Sequence, residues 1–105
     1  MLSIAMTQSE IDYGLMFTTT LDAKTGMLFK YSDEKIRTFW MKNTFQSLDI
    51  IFLDSKKQIV RLVQDTIPFD STIYYSSLSP SQYVIELKAG TVKNNNIKVG
   101  DRFDF

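Results

Sequence analysis

The sequence contains no cysteine and no histidine. Without cysteine the chain cannot form a disulfide, a thiol nucleophile or a thiolate metal site. Without histidine it lacks the commonest general base and the commonest nitrogen ligand of zinc, copper and iron. A Ser-His-Asp triad is therefore excluded, and acid–base chemistry would have to use Asp, Glu, Lys or Tyr. We predict no cofactor and no metal site, since a metal could only be a hard cation held by oxygen atoms.

An excess of charge of either sign is also missing, because twelve basic residues balance twelve acidic ones. The basic residues are scattered, and Lys56-Lys57 is the only adjacent basic pair. Such a chain has no net field to attract nucleic acid, so we predict no nucleic-acid partner. No apolar run approaches the ~18 residues of a membrane span, and no transmembrane segment is predicted. The opening MLSIAMTQSE has neither a basic region nor an apolar core, so no signal peptide is predicted.

The composition that remains is that of an ordinary globular protein, with 44% apolar and 23% charged residues. A length of 105 residues is typical of one domain, and we predict a single domain over residues 1–105. Short runs rich in β-branched, aromatic and other apolar residues predict six or seven strands. These runs are LSIA, GMLF, TFWM, LDIIFLD, QIVRLVQ, QYVIEL and RFDF.

A β-hairpin is predicted where LDIIFLD (48–54) and QIVRLVQ (58–64) are separated by a short polar turn. Both faces of the first of these runs are mostly apolar. Leu48, Ile50 and Phe52 would share one face, while Asp49, Ile51 and Leu53 would lie on the other. We therefore expect this strand to be central and covered on both sides.

Two short helices are predicted. TQSE at residues 7–10 is a capping box and predicts a helix of about two turns, with Ile11 and Leu15 on one face. TVKNNN at residues 91–96 predicts a brief helix that ends with Asn96 in the left-handed conformation.

Residues 31–37 and 65–81 are predicted to be loops. The second is longer than a compact domain usually spends on a connection, so it is either mobile or part of a site. The predicted fold is therefore α+β and mainly β. We expect either a compact small barrel or a strongly twisted, mostly antiparallel sheet, with one or two short helices.

Six motifs occur in one order along the chain: GLMF (14–17), GMLF (26–29), FWMKNT (39–44), LDIIFLD (48–54), YVIELKAGT (83–91) and IKVGDRF (97–103). Together they resemble a prokaryotic family, domain of unknown function 192, from about residue 4 to the end. The resemblance implies a compact β-rich fold and no established biochemical function. Members are often exported or membrane-anchored through an upstream segment, which implies such a location for this chain; without that segment a cytoplasmic one is expected.

The sequence departs from the family pattern at several positions. Thr18 stands where the family usually has Arg, which puts in doubt any family site that uses this Arg. Ser47 stands where Pro is usual, and the cysteines that many members place around the long loop are missing. Lys57 stands where the hairpin turn usually has Gly. If this position has φ > 0, Lys costs on the order of 1 kcal/mol relative to Gly.

The segment WMKN (40–43) is the first candidate site. In an extended chain Trp40 and Lys42 would point to one side, and Met41 and Asn43 to the other. In a functional interpretation Trp40 is a stacking wall for a sugar, base or peptide, with Lys42 and Asn43 as hydrogen-bonding groups. In a structural interpretation Trp40 anchors the core, Lys42 is a solvated charge and Asn43 forms a turn. The family block includes these polar residues, which packing alone rarely specifies.

Two carboxylates, Asp49 and Glu86, lie in predicted strands and are weak catalytic candidates, together with Lys42. A buried carboxylate must be paired or hydrogen-bonded. Asp49 is therefore either a group with a perturbed pKa or, as we favour, a structural acceptor that organises a loop; Glu86 has the same status. If the two faced each other, they could form the carboxylate pair of a glycosidase-like site.

Three functional hypotheses follow. The first is a non-catalytic β-rich module that binds a small molecule or a protein partner near residues 40–43 and Asp49, with residues 65–81 covering the site. The second is a hydrolase-type enzyme that uses Asp49 or Glu86 with Lys42, which the missing His and Cys disfavour. The third is a structural or assembly domain. Tyr74 and Tyr75 would provide an adhesive or lid surface, or would pin the long loop to the body.

Overall fold

The computed structural model describes residues 2–5 by their backbone, and residues 26–41, 46–68 and 72–103 with their side chains. Seven strands and one short helix lie within these residues, so the predicted mainly β fold is confirmed. The predicted helix after TQSE lies outside the described residues. The elements are β1 (Leu2–Ala5), β2 (Gly26–Lys35), β3 (Thr38–Phe39), β4 (Leu48–Leu53), β5 (Ile59–Val63), β6 (Tyr75–Ser76), β7 (Ser81–Lys88) and α1 (Thr91–Asn94).

Five strands form one sheet in the order β1-β2-β7-β4-β5. The β1–β2 pair is parallel, and the other pairs are antiparallel, as predicted. The sheet ends at β1 and β5, so the barrel is not closed and the alternative of an open sheet describes the fold. Residues 101 and 102 cover the open edge of the sheet at the start of β5. Ile59 N donates to Asp101 O at 2.8 Å, and Gln58 pairs with Arg102 in an isolated bridge.

The sheet has two buried faces, which we name by what covers them. The helix face packs against α1 through Val92; its strand residues include Leu28, Ile51, Leu53, Ile59, Ile85 and Leu87. The ribbon face packs against a two-stranded ribbon made of β3 and β6; its strand residues are Phe29, Ile50, Phe52, Val63 and Val84. All six residues of β4 are buried, which confirms that this strand is covered on both sides.

Helix α1 is short because both of its ends are set by left-handed residues. Gly90 precedes it with φ 94°, and Asn96 follows it with φ 52°. Ile97 N donates to Val92 O at 3.0 Å, and Asn96 N donates to Lys93 O at 3.3 Å. These two bonds are those of a Schellman ending, in which a left-handed residue allows the last carbonyls to be satisfied. The predicted conformation of Asn96 is confirmed.

Some predicted boundaries are wrong. Residues 31–35 continue β2 instead of forming a loop; they are mostly exposed and polar, so no apolar alternation revealed the strand. The predicted loop at 65–81 contains β6, and β7 already begins at Ser81. In the predicted last strand, RFDF, Arg102 makes only the isolated bridge to Gln58, and residues 104–105 lie outside the described residues. Within the described residues, no helix is long and apolar enough to cross a membrane.

In the turn between β4 and β5, Lys57 has the positive φ that makes a non-glycine residue unfavourable in free energy. Lys57 has φ 66°, and its N–H donates to Asp54 O at 3.0 Å. The Asp54 carboxylate accepts hydrogen bonds from the backbone N–H groups of Lys56 and Gln58 and holds the turn closed. The left-handed conformation of Lys57 is therefore imposed by a well-bonded turn.

Candidate functional site

The ribbon is fixed to the sheet by the side chains on its inner side. Phe39 contacts Phe29 and Phe52, with ring centroids 5.5 Å and 5.9 Å apart. Tyr75, which pairs with Phe39 across the ribbon, packs on the same cluster, and its hydroxyl accepts a bond from Ile67 N at 3.1 Å. The inner side of the ribbon is therefore part of the core.

Polar contacts fix the ribbon further. Arg37 N donates to Ser77 Oγ and Ser77 N donates to Arg37 O, both at 2.8 Å. The Arg37 guanidinium lies 3.7 Å from the centre of the Tyr31 ring, and its Nε donates to Ser81 O at 2.9 Å. It also bonds the backbone oxygen and the carboxylate of Asp33. These contacts of Arg37 restrict the conformation of the backbone just before β3.

The outer side of the ribbon carries an aromatic pair. Because successive side chains of a strand point to opposite sides, the neighbours of inward-facing Phe39 and Tyr75 point outward. Trp40 is 39% exposed and Tyr74 is 60% exposed. Their rings are stacked, with centroids 5.8 Å apart and planes 16° from parallel. This stack continues the cross-strand register of the ribbon by one position.

A hydroxyl pair lies beside the aromatic pair. Thr38 and Ser76 are partners in the ribbon and point to the same outer side. Thr38 is exposed, while Ser76 is half-buried and its Oγ accepts a bond from Leu78 N at 3.0 Å. Residues two apart on a strand are separated by about 7 Å, so the hydroxyl pair and the aromatic pair form one continuous surface. We call these four residues, Thr38, Trp40, Tyr74 and Ser76, the outer ribbon surface.

The WMKN segment is described only in part. Met41 is 1% exposed and packs with Leu48, so Trp40 and Met41 point to opposite sides, as the predicted alternation requires. Met41 therefore takes the core position that the structural interpretation gave to Trp40. Lys42 and Asn43 lie outside the described residues, and their hydrogen-bonding roles stay predictions.

Asp49 is a buried carboxylate that joins the ends of three elements. Its Oδ2 accepts hydrogen bonds from Gly90 N at 3.1 Å and Val92 N at 2.9 Å, and its Oδ1 accepts one from Asp65 N at 3.1 Å. A carboxylate that accepts several backbone N–H bonds replaces the water it loses on burial. The side chain organises the segment after β5 and the turn before α1, which is the arrangement of a structural acceptor.

Glu86 lies on the other face of the sheet. It pairs with Met27 on one side and Ile50 on the other, and only 5% of it is exposed. Burial among apolar side chains raises the pKa of Glu86 from 4.5 to about 8, so its carboxyl holds a proton at neutral pH. Asp49 pairs with Leu87, the next residue of β7, so Asp49 and Glu86 point to opposite faces. The structure does not bring them together as a carboxylate pair.

Sequence reasoning singled out Trp40 but missed its partners. Tyr74 is predicted to lie in the long loop, and no sequence pattern marks Thr38 or Ser76 as part of a site. The ribbon joins segments about 37 residues apart through two residues from each. The local signal in the sequence is weak. Inward-facing and outward-facing residues alternate in each of two short segments, 38–41 and 74–76. Among the residues with described side chains, no group of three or more Asp or Glu could hold a metal ion.

Comparison with known proteins places the chain in context. The family model of domain of unknown function 192, described as uncharacterized ACR, matches residues 1–105. A candidate transcription regulator from Sinorhizobium meliloti 1021 is 34% identical, with a TM-score of 0.93 over 96% of this chain and 78% of its own. A protein of unknown function from Novosphingobium aromaticivorans DSM 12444 is 33% identical, with a TM-score of 0.94 over 99% of this chain and 74% of its own. Comparison with curated proteins gives no match.

Proposed function

Since the chain belongs to the family of domain of unknown function 192, we propose a function from its own surface: it is a small, non-catalytic module that binds a small molecule or a protein partner. The binding site is the outer ribbon surface, and the Trp40–Tyr74 stack is its centre. The observation that carries this proposal is the exposure of two large stacked rings on a ribbon whose inner side is buried.

Two stacked aromatic rings that contact water are unfavourable in free energy unless a ligand or a partner covers them. Trp and Tyr each bury a large area in a typical core, and their contact with water is unfavourable. If the ribbon only had to cover the sheet, polar residues could stand at positions 40 and 74 as they do at 38 and 76. Instead the ribbon presents an apolar surface with polar edges, the combination that ligand sites use.

The ribbon is also well suited to bind without rearrangement. The Phe39 ring contacts and the bonds of Arg37 hold the backbone beside the stack. Arg61 Nε adds a hydrogen bond to Ser76 O at 2.8 Å on the second strand. A site that is ordered before binding loses less conformational entropy when the ligand arrives.

The hydrolase alternative has less support. The Asp49 carboxylate accepts three hydrogen bonds from backbone N–H groups, and the side chain lies on the helix face, away from the ribbon. Glu86 is on the ribbon face, where it is the only buried carboxyl among the residues with described side chains. A hydrolytic site of the two-carboxylate type needs both groups around one bond.

The description of the Sinorhizobium protein raises a nucleic-acid function as a further possibility. Nucleic-acid affinity comes largely from basic residues that neutralise phosphates. The balanced charge of this chain does not favour it, so our proposal keeps the expectation of no nucleic-acid partner. Single-stranded oligonucleotides nevertheless belong in the test.

The experiment uses the fluorescence of Trp40, the only tryptophan of the chain. Its emission and its quenching by acrylamide are measured with saccharides, nucleotides, amino acids, divalent cations, oligonucleotides and peptides. We expect a quenchable signal that one class of ligand protects in a saturable way. Tyr74→Ala should shift this protection to about tenfold higher ligand concentration, whereas Val99→Ala, a truncation of another exposed apolar side chain, should not change it.

A signal that no class of ligand protects would overturn the proposal. If acrylamide quenching instead falls as the protein concentration rises, the surface joins two copies of the chain, and the assembly hypothesis replaces the binding module. Sedimentation of wild-type protein and of Tyr74→Ala at the same concentrations would show this directly.

A further inference from the structure

We infer that the ligand of the outer ribbon surface is a neutral saccharide, with one sugar ring stacked on the Trp40–Tyr74 pair and its hydroxyls bonded to Thr38 and Ser76. This inference rests on the proposed function, because it names the ligand class of the same site. It depends on the side-by-side arrangement of an aromatic pair and a hydroxyl pair on one outward face.

The two pairs match the two kinds of surface on a sugar ring. The C–H groups of a pyranose form an apolar face, which packs on an aromatic ring through dispersion and burial of apolar area. Its hydroxyls point outward from the ring edge and need partners that can both donate and accept. Ser and Thr hydroxyls do both, and they lie about 7 Å along the strand from the aromatic pair.

The hydroxyls of the surface are available for such bonds. Thr38 is exposed at the edge of the ribbon. Ser76 Oγ already accepts a hydrogen bond from Leu78 N, so its own O–H is the group left to donate to a ligand. A saccharide hydroxyl could thus accept from Ser76 while another exchanges bonds with Thr38.

Charged ligands fit this surface less well. None of its four residues carries a charge at neutral pH. Two guanidiniums close to the ribbon already have partners, because Arg37 bonds Ser81 O and Asp33, and Arg61 bonds Ser76 O. A phosphate or carboxylate placed on the stack would lose water without gaining an ionic partner from these residues.

Other neutral or flexible ligands are less suited. Single-stranded nucleic acid stacks on aromatic rings, but its sites combine those rings with a basic groove. Proline-rich peptides dock in grooves lined by several aromatic rings, whereas this face offers one aromatic pair followed by hydroxyls. The surface therefore matches a compact ring with an apolar face and a polar edge.

The test is a titration of the full chain with cellotriose, maltotriose and tri-N-acetylchitotriose, followed by Trp40 fluorescence and by saturation-transfer NMR on the sugar protons. We expect at least one of these saccharides to bind saturably, with the strongest transfer to the C–H groups of one ring. Tyr74→Ala should weaken binding about tenfold, the effect of losing one good aromatic contact.

Thr38→Val separates stacking from hydrogen bonding, because it removes one hydroxyl with little change of shape at an exposed strand position. It should weaken saccharide binding several-fold, whereas Val99→Ala should leave it unchanged. Far-ultraviolet circular dichroism and thermal unfolding of each variant show that the fold is kept. Equal saccharide affinity of Thr38→Val and wild type would overturn the role given to the hydroxyl pair.

The outcomes distinguish this inference from the function on which it rests. If a proline-rich peptide, a nucleotide or an oligonucleotide binds with dependence on Tyr74 and the three saccharides do not, the binding module stands and its saccharide specificity is wrong. If no probe of any class binds and Tyr74→Ala alters no titration, both are overturned.

Discussion

Replacing Glu86 with Gln should change how the stability of this protein depends on pH. Glu86 is almost fully buried between Met27 and Ile50, and burial raises its pKa to about 8. In the unfolded chain the same carboxyl is in water and titrates near 4.5. At pH values between these two pKa values, the carboxyl of Glu86 is protonated in the folded state and ionised in the unfolded state.

The sign and size of the effect follow from this linkage. Below pH 4.5 both states hold the proton, and Glu86 contributes no pH dependence. From pH 4.5 to about 8 unfolding releases a proton, so the free energy of unfolding decreases as the pH rises; above that range the loss is complete. The full loss is at most about 5 kcal/mol, and roughly 3 kcal/mol of it falls between about pH 5 and about pH 7.5.

Urea unfolding at several pH values, for wild type and for Glu86→Gln, measures this term. The wild-type free energy of unfolding should fall by about 3 kcal/mol more than that of the variant over the interval. Glu34→Gln makes the same chemical change at an exposed position of β2 and is the matched control. Parallel curves for wild type and Glu86→Gln would refute the reasoning, because they would mean that Glu86 ionises equally in the folded and unfolded states.

Substitutions at three further positions test the structure by urea unfolding. Lys57→Gly should raise the free energy of unfolding by up to about 1 kcal/mol, because φ is 66° there; a loss of stability would contradict the conformation of that turn. Asp49→Asn should lower it by about 2–4 kcal/mol, since an amide cannot accept all three backbone bonds; an unchanged value would show that these bonds are not needed. Asn96→Ala should cost about 1 kcal/mol while Asn96→Gly is neutral or stabilising, and the reverse order would exclude the left-handed helix ending.

Features set by local chemistry could be predicted from the sequence. The hairpin of β4 and β5 could be predicted because two apolar runs are separated by a short polar turn, and both faces of β4 are mostly apolar. Helix α1 and its left-handed Asn96 followed from the order of residues 91–96. Asp49 was predicted as a structural acceptor, since a charged side chain in a covered strand must be bonded.

Features set by distant pairing could not be predicted. The register that places Asp49 and Glu86 on opposite faces depends on how β4 and β7 align, which neither strand specifies alone. The ribbon consists of only two residues from each segment, too few for a periodic signal. Its position follows from Phe39 and Tyr75 entering a core formed by other strands. The sequence therefore indicated Trp40 as a candidate without deciding whether it is exposed. It did not indicate that an aromatic pair and a hydroxyl pair lie side by side on one surface.

The central place of β7 also determines when the protein can fold. This strand, residues 81–88, lies between β2 and β4 in the sheet and follows both of them in the sequence. Until it has left the ribosome, β2 and β4 lack their common partner, and their apolar side chains have no complete core to enter. Pairing strands that are distant in sequence is slow, and strand edges exposed meanwhile favour aggregation. The sheet therefore cannot be completed until residues 81–88 have been synthesised, and the facing edges of β2 and β4 stay unpaired until then.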